Sequence, residues 1–220
     1  MSLYEKISLI ISSISLLSLI GLMFQLYLSR KQTRDSHDEI RRSKTIDVLM
    51  AWSNFQNKAT FYAVKIVESF NADQCKSLVQ VETFEVSEEI KRRLCHLCEL
   101  AFGQNNSVTP CNKCEKKCEN SSTTKYFVVG PVLYELRWQA VRYLNILESI
   151  LQARNLGIVD NKTIQLEFEG LGAAQSQNAL EIFRTAMIDN SADRYNPFPA
   201  IETFCQEIHR TPASGKKELH

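Results

Sequence analysis

The chain has 220 residues, a formal net charge of +1 and 23% charged residues. Its balance of charges excludes a global basic field that would attract nucleic acid. Seven glycines and five prolines are few for this length, which argues against a fold rich in strands and turns and favours long helices.

The first predicted element is an apolar run from Ile7 to Ser29 that contains no charged residue. A helix rises about 1.5 Å per residue, so a run of this length covers roughly the 30 Å hydrocarbon core of a bilayer. The run is longer than the apolar region of a cleaved signal peptide, and no small-residue cleavage pattern follows it. It therefore predicts a transmembrane helix within an N-terminal unit of residues 1–29.

The flanks of this run predict its orientation. Only Glu5 and Lys6 precede it, whereas Arg30, Lys31 and Arg34 follow it. The positive-inside bias places the N-terminus outside the inner (plasma) membrane and the bulk of the chain in the cytoplasm. The three bases after the run are predicted to contact phosphate headgroups.

Small and polar residues recur along one side of the run. Such residues favour close contacts between helices in lipid. The predicted residues for association of the spans are Ser8, Ser12, Ser15, Ser18 and Gly21. The alternative is that the serines are only tolerated, because their hydroxyls can bond back to helix carbonyls.

Residues 30–44 form a charged neck of mixed sign, which is typical of a solvated helix. A cytoplasmic helical domain is predicted over residues 45–210, followed by a disordered polar tail over residues 211–220. Its predicted helices cover residues 45–70, 87–102, 131–156, 160–187 (kinked or split near Gly170) and a short stretch from Pro199. The predicted fold class is all-α: an N-terminal transmembrane helix followed by a cytoplasmic helical bundle with a cysteine-rich, zinc-stapled insert.

The cysteine-rich insert covers residues 95–118. Its cysteines form a C-x2-C-x12-C-x2-C pattern of Cys95, Cys98, Cys111 and Cys114, with Cys118 and His96 as alternate ligands. Because the predicted compartment is reducing, this pattern favours four thiolates around a structural Zn²⁺. A closed set of four protein ligands leaves no position for a catalytic water. A redox dithiol of Cys95 and Cys98, or an iron–sulfur cluster, are the alternatives.

Basic residues precede the first cysteine pair. Lys91, Arg92 and Arg93 are possible anion contacts for membrane phosphates, a nucleotide or RNA. The alternative is a solvated rim, since no aromatic ladder accompanies them. The chain has no phosphate-binding glycine loop, no G-x-S-x-G motif and no H-E-x-x-H motif, and we predict that it is not an enzyme.

Two stretches carry a resemblance. The first is the R-x-x-T-I-D segment in Arg42–Asp47, and the second is the L-N-x-x-E segment in Leu144–Glu148, with Gly157–Asp160 after it. Together they resemble a broad group of small bacterial single-span membrane proteins that carry domains of unknown function. The group has no established catalytic residues, and the cysteine-rich insert departs from its pattern. Some proteins of this design serve in bacterial defence operons, which implies an effector role as one expectation.

The function predicted from these features is a membrane-anchored cytoplasmic interaction or scaffold protein with a structural zinc site. It would act through a protein partner or through self-association, with nucleic acid an unfavoured partner. One alternative is an oligomeric, ligand-gated membrane effector of an anti-phage defence system. Another is a membrane-tethered nucleotide or nucleic-acid binder.

Overall fold

A computed structural model describes residues 3–102, 126–128, 130–172 and 179–210, with side chains described for residues 17–101, 126–128, 130–171 and 179–208. Within these residues the chain is mostly helical. The elements are α1 (Leu3–Phe55), α2 (Lys58–Glu68), α3 (Ala72–Gln80), β1 (Phe84–Val86), α4 (Glu88–Phe102), β2 (Tyr126–Val128), α5 (Pro131–Asn155), α6 (Asn161–Phe168), a 3₁₀ turn (Glu169–Gly172), α7 (Glu181–Asp189) and α8 (Pro199–Arg210). The predicted tail, residues 211–220, and most of the cysteine-rich insert lie outside the described residues.

The N-terminal helix α1 is a single element of 53 residues, about 80 Å long. The charged neck is part of it, so the chain stays helical until the domain begins. The helix ends at Phe55, and Asn57 caps α2 by accepting a hydrogen bond from the Thr60 amide at 2.8 Å. The predicted helix over residues 45–70 is therefore two helices, because the cap at Asn57 interrupts an otherwise continuous apolar pattern.

The segment after Phe70, for which no helix was predicted, forms helix α3. Asn71 and Gln74 form a reciprocal capping box at its start. The Gln74 side chain also donates to the carbonyl of Glu85 at 2.9 Å, which joins α3 to strand β1. Strands β1 and β2 pair antiparallel, with Phe84 opposite Val128, Glu85 opposite Phe127 and Val86 opposite Tyr126. This small sheet was not predicted, and the helical character of the rest of the described chain is confirmed.

Helix α5 lies at the centre of the domain. Its residues Leu136, Leu144 and Leu147 have no exposed surface. Helices α2, α4 and α8 pack around it, and α3 packs on α7. One polar link crosses this core, since the Thr60 hydroxyl donates to Gln139 Oε1 at 2.7 Å, and pairing of this kind removes the cost of burying both groups.

The transmembrane part of the predicted fold class also needs correction. Among the described residues, no helix is both long and apolar enough to cross a membrane. The apolar part of α1 with described side chains is Leu17–Leu28. The charged neck follows it within the same helix. The remainder of the predicted run, residues 7–16, has no described side chains.

Candidate functional site

A strongly charged concave surface in the described part of the chain lies where α1 meets the turn between α5 and α6. This open groove has a volume of about 950 Å³. Its cationic side chains are Arg41 and Arg42 from α1, Arg154 from the end of α5, and Lys162 from α6. We call this surface the basic groove.

Thr45 fixes the geometry of the basic groove. Its side chain is only 3% exposed. The Thr45 hydroxyl donates to the carbonyl of Arg41 at 2.7 Å and accepts from the amide of Asp160 at 2.6 Å. Gly157, at φ +68°, begins the same turn, and a Cβ built there would lie 3.6 Å from Nη2 of Arg41. The turn is therefore held directly against α1.

The carboxylate in the basic groove belongs to Asp160, which caps α6. Its Oδ1 accepts from the hydroxyl of Thr163 at 2.7 Å and from the amide of Thr163 at 2.8 Å. These two hydrogen bonds lower the pKa of Asp160, and the charges of Lys162 and Arg42 lower it further. Asp160 is thus ionised at neutral pH and committed to the start of the helix.

Arg154 is the buried cation of the basic groove. Its side chain is 9% exposed, and its Nη2 lies 2.8 Å from Oε2 of Glu207. The guanidinium carbon lies 5.0 Å from the ring centre of Phe204 on α8. Its Nε is buried and makes no hydrogen bond within the described residues. Arg154 therefore joins α5 to α8, and its Nε–H is a hydrogen-bond donor that neither contact uses.

The other three cations of the basic groove are exposed. Arg41, Arg42 and Lys162 make no side-chain hydrogen bond or ion pair within residues 17–101, 126–128, 130–171 and 179–208. Exposed cations that converge on one concave surface attract an anion, because their positive potentials add together there. The arrangement is suited to binding and contains no described nucleophile–base pair.

The two motifs behind the resemblance take part in this geometry. Thr45, from the first motif, bonds to Asp160, which follows the second motif in the chain. Glu148, from the second motif, accepts from the amides of Ala200 at 2.9 Å and Ile201 at 3.0 Å. It thereby holds the first turn of α8. The sequence singled out these residues, but it did not indicate that they join separate helices.

The predicted anion contacts on α4 are engaged with neighbours. Nη2 of Arg93 lies 2.6 Å from Oε1 of Glu89, and Nη2 of Arg92 lies 3.8 Å from Oε1 of Glu88. Lys91 Nζ lies 4.0 Å from the ring centre of Tyr126. Their charge is partly neutralised on the same helix, as expected for a solvated rim. Anion binding by these three residues stays a prediction.

The predicted headgroup contacts lie on α1 above the basic groove. Arg30 and Arg34 share a shallow surface with His37 and Arg41, one face of a single helix. Lys31 is exposed on the same helix. These bases continue the positive surface away from the groove, while contact with headgroups stays a prediction.

The cysteines do not form the predicted zinc site within the described residues. Cys95 is disulfide-bonded, and Cys98 is a buried thiol. Cys111, Cys114 and Cys118 lie outside the described residues, and among the described ones no group of His, Cys, Asp or Glu could hold a metal. The predicted zinc-stapled insert is therefore wrong as a feature of the described part of the fold.

The alternate ligand His96 has other contacts. Its ring packs edge-on against Tyr62 with 4.6 Å between ring centres. Its Nδ1 lies 3.5 Å from Oε2 of Glu99. Zinc binding by the reduced cysteines stays a prediction that these contacts do not address.

Cys75 should be inert in the folded protein. It has no exposed surface, and burial raises the pKa of its thiol from 9.0 to about 11. Below pH 9 this pKa shift lowers the thiolate fraction of Cys75 roughly 100-fold, and the alkylation rate falls with it. We expect peptide mapping by mass spectrometry after maleimide treatment at pH 8 to show that Cys75 reacts at least roughly 100 times faster in the unfolded protein than in the folded protein. Equal rates in buffer and in urea would contradict the buried assignment.

The roles given to the basic groove rest on its geometry. The resemblance to small bacterial single-span proteins stays a prediction, and it supplies no residue roles. Comparison of the chain with protein-family models, with curated proteins and with solved structures finds no match.

Proposed function

We propose that this chain is a non-enzymatic interaction protein that self-associates through the N-terminal half of α1. Several copies of the helical domain would then be held together at the end of a helical stem. The observation that supports this proposal is the apolar, exposed surface of α1 before the charged neck.

This surface covers most of the helix circumference. Its large apolar side chains are 46–68% exposed, and they are Leu17, Leu19, Ile20, Leu22, Met23, Phe24, Leu26, Tyr27 and Leu28. Successive helical residues are turned by about 100°, so these side chains cover about two-thirds of the circumference, and Ser18, Gly21 and Gln25 lie together on the remaining side. A helix with so wide an apolar surface is stable only when other apolar groups cover that surface. Exposure to water costs about 25 cal/mol per Å² of apolar surface.

A second copy of α1 is the partner that best fits this surface. The stretch from Leu17 to Leu28 has no charge with which to select an oppositely charged partner. Gly21 provides a place for close approach, since a Cβ built there would meet nothing within 4 Å. Small residues at such a place let two helix backbones pack closely. Ser18 lies one turn before Gly21, whereas the predicted association residues Ser8, Ser12 and Ser15 lie outside the described side chains.

The oligomeric state tests this proposal. We expect sedimentation equilibrium of the full chain in a mild detergent to show more than one copy. Gly21→Ile should raise the dissociation constant at least roughly tenfold, because a branched side chain blocks backbone approach.

Leu19→Phe is the matched control, because it adds bulk about 200° away around the same helix. It should leave the dissociation constant near that of the unmodified chain. The proposal would be overturned if the unmodified chain were monomeric at every concentration. An equal rise of the dissociation constant in both variants would also overturn it.

Other predicted attributes are independent of this proposal. The inner-membrane location, the zinc site, ligand gating in a defence system and tethering of nucleic acid stay predictions.

A further inference from the structure

We propose that the basic groove binds the phosphate group of a ligand, held between α1 and the first turn of α6. The ligand would be a phosphate-bearing small molecule or a phosphate-bearing lipid headgroup. This binding site is separate from the apolar surface through which the chain is proposed to self-associate.

The charges in the basic groove carry this inference. Arg41, Arg42 and Lys162 have no ion-pair partner within the described residues. The carboxylate of Asp160 is held by Thr163, and Arg154 is balanced by Glu207. The Asp160 carboxylate offsets one of the three exposed cations, so the groove keeps an excess of two positive charges among the described residues.

The placement of these cations suits a group with several oxygens. Arg41 and Arg42 approach from α1, while Lys162 approaches from the first turn of α6. A phosphate presents oxygens in several directions and carries up to two negative charges, whereas a carboxylate carries one. Arginine forks match phosphate oxygens in pairs, and a lysine adds a point charge.

The site is built on a rigid joint. The hydrogen bonds of Thr45 to Arg41 and Asp160 hold α1 against the turn that leads into α6. The backbones that carry the cations on both sides therefore keep their separation without a ligand. Apolar side chains of Leu49 and Val159 line the same groove. A ligand with a non-polar part next to its phosphate would contact both kinds of surface.

The binding test uses the full chain with inorganic pyrophosphate and with adenosine monophosphate as probes. We expect calorimetry at low ionic strength to show saturable binding of about one probe per chain. Arg42→Gln and Lys162→Gln should each weaken binding roughly tenfold, which corresponds to the loss of one charge-assisted contact. Both residues are exposed, so the variants should fold, and circular dichroism checks this.

Lys76→Gln is the matched control, because it removes one exposed cation from α3 outside the groove. It should bind the probes like the unmodified chain. Equal losses in Lys76→Gln would overturn the proposal, because they would indicate general attraction to positive charge.

Vesicles distinguish the two sources of phosphate. Retention is compared between phosphatidylcholine vesicles and vesicles that also contain phosphatidylglycerol, so that the apolar part of α1 contributes equally to both. A preference for the anionic vesicles that Lys162→Gln removes would identify a lipid headgroup as the source. Binding of the free probes with no such preference would identify a soluble ligand. Absence of both effects would overturn the proposal.

Discussion

Replacing Trp52 by alanine is expected to lower the free energy of unfolding by about 3–5 kcal/mol, the range for truncating a buried aromatic side chain. Trp52 is 6% exposed at the C-terminal end of α1. Its ring centre lies 5.5 Å from that of Tyr143 on α5 and 5.3 Å from that of Phe168 on α6. These contacts join α1 to two helices of the domain, so their loss leaves a cavity at the joint.

Urea denaturation followed by far-ultraviolet circular dichroism would measure this change. Met50→Ala is a suitable control, because Met50 lies on the same helix and is 60% exposed. We expect that control to change stability by less than about 0.5 kcal/mol, as surface substitutions usually do. A loss below about 1 kcal/mol in Trp52→Ala would show that α1 does not depend on this contact.

Trp52→Ala should also change the basic groove. Trp52 lies two turns after Thr45 on α1, and both residues hold the helix against the α5–α6 region. If the joint loosens, the backbones that carry the cations from α1 and α6 lose their fixed separation. We therefore expect Trp52→Ala to weaken phosphate binding without removing any charge from the groove.

Replacing Glu148 by alanine is expected to lower the free energy of unfolding by about 3 kcal/mol. Its two carboxylate oxygens accept from the amides of Ala200 and Ile201 in the first turn of α8. Removing a charged acceptor leaves two partly buried donors without partners, and each such loss costs about 1–3 kcal/mol. The carboxylate also stabilises the positive end of the α8 dipole, which adds to the loss.

Two neighbouring substitutions separate these contributions. Glu148→Gln keeps one acceptor oxygen and removes the charge, so we expect about half of the alanine effect. Ser149→Ala changes the next residue, which is exposed and bonds only to its own helix, and should cost less than about 0.5 kcal/mol. Chemical denaturation of all three variants measures the series. Identical losses for the glutamine and serine variants would contradict a capping role for Glu148.

Helix α5 shows how much of the fold local sequence can specify. It was predicted over residues 131–156 and extends over Pro131–Asn155. Pro131 stands at its first turn, where a missing amide is harmless. Gly157 follows it at φ +68°, and the amide of Ile158 donates back to the carbonyl of Ala153 at 3.0 Å. A proline, a glycine and a 3.6-residue apolar period are all local signals, so they could be read directly.

The missed elements depended on contacts between distant parts of the chain. Strand β1 has three residues, too short for an alternating pattern to stand out, and it is stabilised by pairing with β2 about 40 residues later. Helix α3 is short as well, although its capping box at Asn71 was a readable local signal. The disulfide of Cys95 could not be inferred, because the predicted compartment favoured reduced thiols.

The sequence by itself determined the helical character of the chain, the apolar start of α1, the charged neck that follows it and the bounds of α5. These features follow from residue spacing and from turn chemistry over a few neighbouring positions. Only the tertiary structure decided that Thr45 bonds to Asp160, that Glu148 caps α8 and that Arg41, Arg42 and Lys162 share one groove. Residues more than 100 positions apart meet there, and no local pattern encodes which side chains packing will bring together.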